Sequence, residues 1–487
     1  MKAGFCEADI TPAVGMERPG GYGKAYIVAI HDSLKVRASV FEDDRGVRIA
    51  LVGLDSLGIE AKTAARIRRE ASALCGIKED NILLAASHTH SGGPIHGCFA
   101  EDYENAPELV QVLARDYSVV VDPDYHRQVV AQAVKAIEEA DRRKEDALVS
   151  VGSGYEDKVA FNRRFRMKNG RVYTHPGKGN PDIIEPAGPT DPEVGVLGAW
   201  SRDGRLLGCI VNYACHGTTF CRDVSADWIY YLEQTIRGVL GEEATVVFLN
   251  GAAGDVTQVD NLSMREQEFG EKWSRFVGAR VGAEAVKVLV SAERGDAAPV
   301  ATARKVLVVP RRTPAKDRYE NALFIVKQGL EDVKTGKKKP DEIYTTDWIF
   351  AKEILLLEHL VGREPVARVE VQAVQVGPAV FLANPAEYFC QHGLNIKKSS
   401  PFPFTFVVEL ANGSAGYVPT PDAFGPDGGG YETILSRYSN LPVDAGRTIE
   451  DTSVELAKSL TPGRVPPGST TKFCGPWDYG VRGPEIE

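Results

Sequence analysis

Asn81-Ile82-Leu83-Leu84-Ala85-Ala86, running on into Ser87-His88-Thr89-His90-Ser91-Gly92-Gly93-Pro94, is a short apolar run that breaks onto polar and glycine-rich sequence. It reads as a buried strand with two histidines at its carboxyl end. Upstream, Arg48–Leu54 reads as a second buried strand. Between them, Ala61–Cys75 sets Ala64, Ile67, Ala71 and Leu74 on one helical face, with Gly76 as the stop. A strand, a helix and a strand in that order predict a parallel pair joined by a right-handed crossover.

The pattern recurs. Leu206–Ala214 reads as a strand ending on Cys215-His216-Gly217. Ser225 is placed to cap a helix over Ala226–Leu240, with Ile229, Leu232, Ile236 and Val239 inward. Thr245–Leu249 is the next strand, followed by Asn250-Gly251-Ala252-Ala253-Gly254-Asp255. In open α/β sheets, ligands bind beyond the carboxyl ends of strands. His88, His90, His216 and Asp255 all fall there. Asp124–Lys144 and Glu266–Glu293 read as amphipathic helices, and Val366–Val376, Ala379–Ala383 and Phe404–Leu410 as strands. Glu387, just after Pro385, is expected to open a helix. The glycine-rich stretch Asn412–Tyr431 has the length of a functional loop. The fold class expected is α/β, with mixed β-sheets flanked by helices. Residues 1–487 are expected to form a single catalytic domain, with a helical insertion over 313–365.

Composition narrows the function. With 57 Lys+Arg against 67 Asp+Glu, the net charge is −10, which disfavours non-specific binding to nucleic acid or anionic lipid. Apolar runs such as Thr245–Leu249 and Val306–Val309 fall far short of the roughly 18 residues of a membrane span. The opening residues lack the apolar centre of a secretory signal, and the eight cysteines form no CxxC pair. A reducing, cytoplasmic location is the expectation. There is no P-loop, no dinucleotide fingerprint after a strand, and no GxSxG elbow, which Asn412-Gly413-Ser414-Ala415-Gly416 misses at its first position.

Of nine histidines, His88, His90 and His96 are clustered. In an extended segment, positions i and i+2 face the same way. His88 and His90 could therefore share a metal, or one could bind while the other handles protons; each could also simply hydrogen-bond a neighbour. Alone, His216 reads equally as a core histidine, Glu387 as a helix-dipole carboxylate, Tyr417 and Tyr431 as loop anchors, and Arg163 as a solvated charge.

Several segments gain meaning from their order. These are Asp9-Ile10-Thr11-Pro12 with Gly21-Tyr22-Gly23; Ile30–Ala38; Ser87–Gly92; Asn212–Thr218; Gly254-Asp255-Val256-Thr257; Asn384–Tyr388; Gly416–Thr420; and Gly430-Tyr431-Glu432. Together, from residue 9 to about residue 435, they resemble the neutral/alkaline, non-lysosomal ceramidase family in its catalytic N-terminal domain. The resemblance implies a zinc amidohydrolase of lipid, notably sphingolipid, metabolism with one Zn2+ per chain. His88, His216, Glu387 and Tyr417 match the family's metal ligands. His90, Arg163 and Tyr431 match its residues for proton handling and oxyanion stabilisation. Thr257 stands where the family has a serine, and Asp255 is expected to orient an imidazole from behind.

About 55 residues follow Tyr431, so the family's C-terminal immunoglobulin-like domain is not expected in this chain. The segment Arg164–Pro189 also departs from the family pattern. The substrate expected is a small N-acyl compound, ceramide-like or smaller and more polar. Two alternatives stand beside it. One is a metal-dependent esterase or hydrolase of a polar carbohydrate-derived substrate. The other is a non-catalytic binding protein on the same fold, against which the retention of every matched ligand and accessory residue argues.

Overall fold

The structure, a computed structural model, describes residues 1–220, 223–265, 268–467 and 475–487. Eight strands build a first mixed sheet: β1 Lys2–Asp9, β2 Lys35–Glu42, β3 Arg48–Leu54, β4 Ile82–Ala86, β5 Glu145–Tyr155, β6 Glu193–Ser201, β7 Leu206–Tyr213 and β8 Thr245–Asn250. Their spatial order is β8-β7-β6-β5-β1-β2-β3-β4. Its parallel pairs are β3 with β4 and β7 with β8. Each is bridged by a helix, α1 (Ala61–Cys75) in the first and α4 (Trp228–Leu240) in the second. These are the two crossover units read from the sequence, and each delivers histidine at a strand end. Between β4 and β5 lie α2 (Glu108–Asp116) and α3 (Pro123–Arg142); α5 (Glu271–Ser291) follows β8. The expected start of α5 at Glu266 lies outside the described residues.

A second sheet, in the order β9-β10-β11-β12, contains β9 Val300–Pro310, β10 Val366–Val376, β11 Ala379–Ala383 and β12 Phe404–Val408. Between β9 and β10, which pair with each other along their whole length, the chain runs through α6 (Lys316–Lys334) and α7 (Thr346–Arg363). The helices α8 (Cys390–Ser399) and α9 (Ala445–Ser459) complete the regular structure.

The two sheets stack face to face. Side chains of β3 alternate between the two sides: Ile49 and Leu51 join Phe381, Phe406 and Val374 between the sheets, while Ala50, Val52 and Leu54 pack with Ile67, Ala71 and Ile137 of α1 and α3. Helices α4 and α5 cover the same outer face beside β6–β8, and α8 and α9 cover the far face of the second sheet. The result is a four-layer helix–sheet–sheet–helix stack, with α2, α6 and α7 as a satellite cluster. No helix among the described residues is long and apolar enough to cross a membrane.

Two helical faces differ from the expectation, both because a charge takes an inward place. Leu74 is 60% exposed, and Arg68 is buried instead. Its guanidinium donates to the Ile82 carbonyl, Glu370 and Gln372, tying α1 to β10. Val239 is likewise exposed, while Glu233 of α4 is buried. The cap of α4 is also not Ser225 but Asp227, whose carboxylate accepts from the Trp228 amide. The Ser225 hydroxyl donates to Asp32.

Glu233 sits in a buried ion cluster. Arg37 of β2 reaches both Asp55 (2.7 Å) and Glu233, and Lys35 lies 2.7 Å from Glu233. Burial pushes the Glu233 carboxyl up, but Arg37, Lys35 and Arg237 pull it down to about 2 from an ordinary 4.5. A carboxylate lowered by folding contributes stability that is complete above its unfolded pKa and lost as pH falls through its folded one. Stability should therefore decline between pH 4.5 and about 2, and Glu233→Gln should flatten that decline in urea melts taken across this range. Arg37→Met, which strands the buried Asp55 and leaves Glu233 only Lys35 and Arg237, should cost about 3–5 kcal/mol at pH 7.

Candidate metal centre and catalytic cavity

Three imidazoles are turned by three main-chain carbonyls. The Nδ1–H of His88 donates to Leu57 O (2.8 Å), that of His90 to Gly20 O (2.9 Å), and that of His216 to Ala253 O (2.8 Å). A carbonyl can only accept, so the proton of each ring lies on Nδ1 and each Nε2 presents a lone pair. Burial pushes His90 down to about 3 and His216 well below the ordinary value, so both rings are neutral at pH 7. The three nitrogens that could bind a metal lie within 4.8 Å of one another. The Nε2 atoms of His88 and His90 are 3.4 Å apart.

His88 does not sit in extended chain, as the i, i+2 argument assumed. Its φ is +63°, a costly conformation for a residue with a side chain, of the kind found where a site over-determines it. The turn brings Thr89 into bridge contact with Gly217, and the His90 amide donates to the Gly217 carbonyl. The approach is so close that a Cβ on Gly217 would stand 2.9 Å from the His88 carbonyl oxygen.

Glu387 lies on a strand, not at a helix start. Ala386–Tyr388 pairs in parallel with Gly416–Val418, and Glu387 is the register partner of Tyr417. The Ala386 amide donates to Asn384 Oδ1 and the Tyr388 amide to Glu409 Oε2, which holds the chain extended until α8 begins at Cys390. Glu387 Oε2 is 3.3 Å from His88 Nε2 and 3.6 Å from His216 Nε2. It is buried with no hydrogen-bond donor.

Arg163 closes one side. Its Nε donates to Glu432 (2.9 Å), its Nη2 to the Gly254 carbonyl (2.7 Å), and its Nη1 lies 3.2 Å from His216 Nε2. The guanidinium stands over the rings of Tyr431 and Tyr417 at 5.1 and 5.5 Å, and the two phenol oxygens are 3.1 Å apart. Burial raises both phenols.

Two expected roles are not met. The Asp255 carboxylate touches no imidazole; it accepts from Asn162 Nδ2 and from the Cys390 amide at the first turn of α8, each at 2.8 Å. Carbonyls of Ala253 and Val256 hold His216 in its place. Thr257 does not line the cavity: it pairs with Phe161, and its hydroxyl accepts from the Val259 amide. It supports the short strand Phe161–Asn162 that leads into Arg163.

Two buried acids were missed. Glu432 holds Arg163 and also accepts from Thr174. Glu409 accepts from Asn250, from the Ala253 amide and from the Tyr388 amide, linking the loop behind His216 to the strand of Glu387. Glu409 stands just past the end of β12, the position that singled out the histidines, and that signal could have found it.

His88, His90, Glu387, Tyr417 and Tyr431 line one side of a cavity of about 150 Å³, with Tyr22, His96, Lys352 and Tyr438 on other walls. Converging lone pairs and an unpaired buried carboxylate oxygen are costly without a cation among them. The site therefore fits a metal ion, with His88, His216 and Glu387 placed to hold it, Tyr417 alongside, and His90 within the same cluster.

No protein-family model matches the chain. Over 307 residues it is 25% identical to the neutral ceramidase of Pseudomonas aeruginosa, a match covering 60% of this chain and 42% of that protein's length. The crystal structure of that neutral ceramidase aligns with a TM-score of 0.67 at 20% identity, covering 96% of this chain and 76% of the other. A ceramidase complexed with C2 aligns equally well, at 18% identity over 97% of this chain and 78% of the other. The fold is that of the neutral ceramidase catalytic region, and the ordered motifs and the sequence match point to the same relative.

A Cβ on Gly254 would stand 2.4 Å from the Glu387 carbonyl oxygen, against backbone that cannot yield cheaply. Gly254→Ala should displace Glu387 and weaken metal binding by about 10–100-fold, as loss of ligand support does elsewhere. Competition with a chromogenic chelator measures it.

Proposed function

We propose that the chain is a zinc-dependent amidohydrolase acting on an N-acyl compound, and that one zinc ion per chain is held by His88, His216, Glu387 and Tyr417. The observation that carries the reading is the unpaired Glu387 oxygen facing two Nε2 lone pairs beside a cavity that Tyr431 also lines, with Arg163 behind His216. Two imidazoles and a carboxylate suit zinc, and three protein ligands of this kind are usual for catalytic zinc. The similarity to neutral ceramidase supports the choice of an amide as the scissile bond.

Zinc bound there would polarise the substrate carbonyl and make water a better nucleophile near neutral pH. The protein's own residues do the rest. His90, neutral and with Nε2 free of a proton, takes the proton of the attacking water and returns it to the leaving amine nitrogen. Arg163, fixed by Glu432, and the Tyr431 hydroxyl are donors placed for the negative oxygen that develops on the former carbonyl. The Gly20 carbonyl keeps the His90 tautomer suited to its task.

Elemental analysis should give close to one zinc per chain, and chelation should abolish amide hydrolysis that zinc restores. A chain that stays metal-free when zinc is supplied overturns the reading. Tyr431→Phe should lower kcat by about 100–1,000-fold with KM little changed, the loss expected for one oxyanion donor; steady-state kinetics on a short N-acyl amine checks it.

A further inference from the structure

His96 belongs to none of the matched motifs, yet its side chain lines the same cavity as His88, His90 and Glu387. Its ring packs against Gly58, where a Cβ would stand 3.0 Å from Nδ1. Gly58 follows Leu57, whose carbonyl orients His88, so one short loop fixes the distance between the metal side and His96. The same nitrogen lies 2.9 Å from Glu60 Oε1, an ion-pair contact that lacks hydrogen-bond alignment. Glu60 faces away from the catalytic cavity into a neighbouring groove. The pair thus forms a wall whose acid points out and whose imidazole points in. No protein partner is found for His96 Nε2 among the described residues. Burial would lower the ring's basicity, but Glu60 raises it above the ordinary value.

The surrounding charges favour an anion. Arg163 is balanced by Glu432, and Arg437 and Lys352 share Glu353. Lys352 spends its protons on the Tyr22 and Tyr117 carbonyls and the Ser118 hydroxyl. Glu387 is the acid among the cavity-lining residues, and the metal would take it up. Among the described residues that line the cavity and can carry positive charge, His96 keeps a ring nitrogen without a protein partner, beside the uncharged Tyr22 and Ser414 hydroxyls.

We propose that His96, backed by Glu60, binds an anionic oxygen of the substrate, so that the amide cleaved carries a carboxylate on its amine part. This rests on the amidohydrolase reading of the same cavity. It makes the preferred substrate class an N-acyl amino acid type of compound rather than an uncharged lipid amide.

The test compares N-acetylglycine with its neutral counterpart N-acetylglycinamide on the zinc-loaded protein, by kcat/KM and, separately, by calorimetric binding. The carboxylate should be preferred at least tenfold in both. The ratio should fall to near one in His96→Gln and fall in the same direction in Glu60→Gln, which leaves the imidazole present. Reading a ratio cancels any partial loss of folded protein. Hydrolysis of neutral amides with no carboxylate preference overturns this inference and leaves the amidohydrolase reading standing. Carboxylate binding that depends on His96, without hydrolysis of any amide, supports the anion site at His96 but overturns the amidohydrolase reading and, with it, the assignment of that anion to a cleaved amide. A preference that survives both substitutions overturns the role of His96.

Discussion

Everything at the catalytic cavity depends on three carbonyl oxygens, those of Gly20, Leu57 and Ala253, each accepting the Nδ1 proton of one histidine. They come from three separate places: the loop after β1, the end of β3 and the end of β8. Only when the first sheet is assembled do the three Nε2 lone pairs converge. Convergence of unprotonated nitrogens on a buried carboxylate is unfavourable by itself, so folding stores electrostatic cost that a cation repays. The strained backbone at His88 belongs to the same account, since the turn that costs energy aims the ring.

Behind these groups stand acids that never enter the cavity. Glu409 is fully buried, and burial pushes its carboxyl well up, against three hydrogen bonds that favour the ionised form. Its two oxygens tie the Asn250–Ala253 loop, which carries the carbonyl for His216, to the strand that carries Glu387. Glu432 does the equivalent for Arg163, and Asp255 for the start of α8 and for Asn162. The division of labour is physical: imidazoles and Glu387 face the site, while the other carboxyls accept from backbone amides, the Asn162 and Asn250 side chains, the Thr174 hydroxyl and the Arg163 guanidinium.

The crossover units were legible because both strands of each parallel pair are buried on both faces and so read as unbroken apolar runs, and because Gly76 marks the end of α1 in the left-handed region. The inward faces of α1 and α4 were not fully legible. Arg68 and Glu233 count as surface residues in any hydrophobic pattern, yet each has a counter-charge far away in sequence, the half-buried Glu370 for one and the buried Arg37 for the other. Glu387 was read as helical because Pro385 is a good early-helix residue; its strand is imposed by Asn384, a local turn signal that was not used, and by Glu409 and the partner segment at Tyr417, which are distant in sequence. The stacking of the second sheet on the first was invisible for a related reason: strands covered on both faces lose the alternation that would say which side meets what.

The two sides of the cavity are also built by different parts of the chain. The metal side comes from the ends of β4 and β7 and from the paired strands at Glu387 and Tyr417. The far wall is held by α7, which lies in the connection between the paired strands β9 and β10. Lys352 anchors Tyr22 from below by its carbonyl, and Glu353 clamps Arg437 beside the Tyr438 ring. A helix pair inserted between two paired strands can change in length and sequence without disturbing the pairing that encloses it. The chemistry is thus locked to the central sheet, while the shape and charge of the far wall are set by an element that can vary independently. A resemblance concentrated in the motifs of the candidate metal side therefore bears on the proposed bond cleavage far more tightly than on the molecule that would contain that bond.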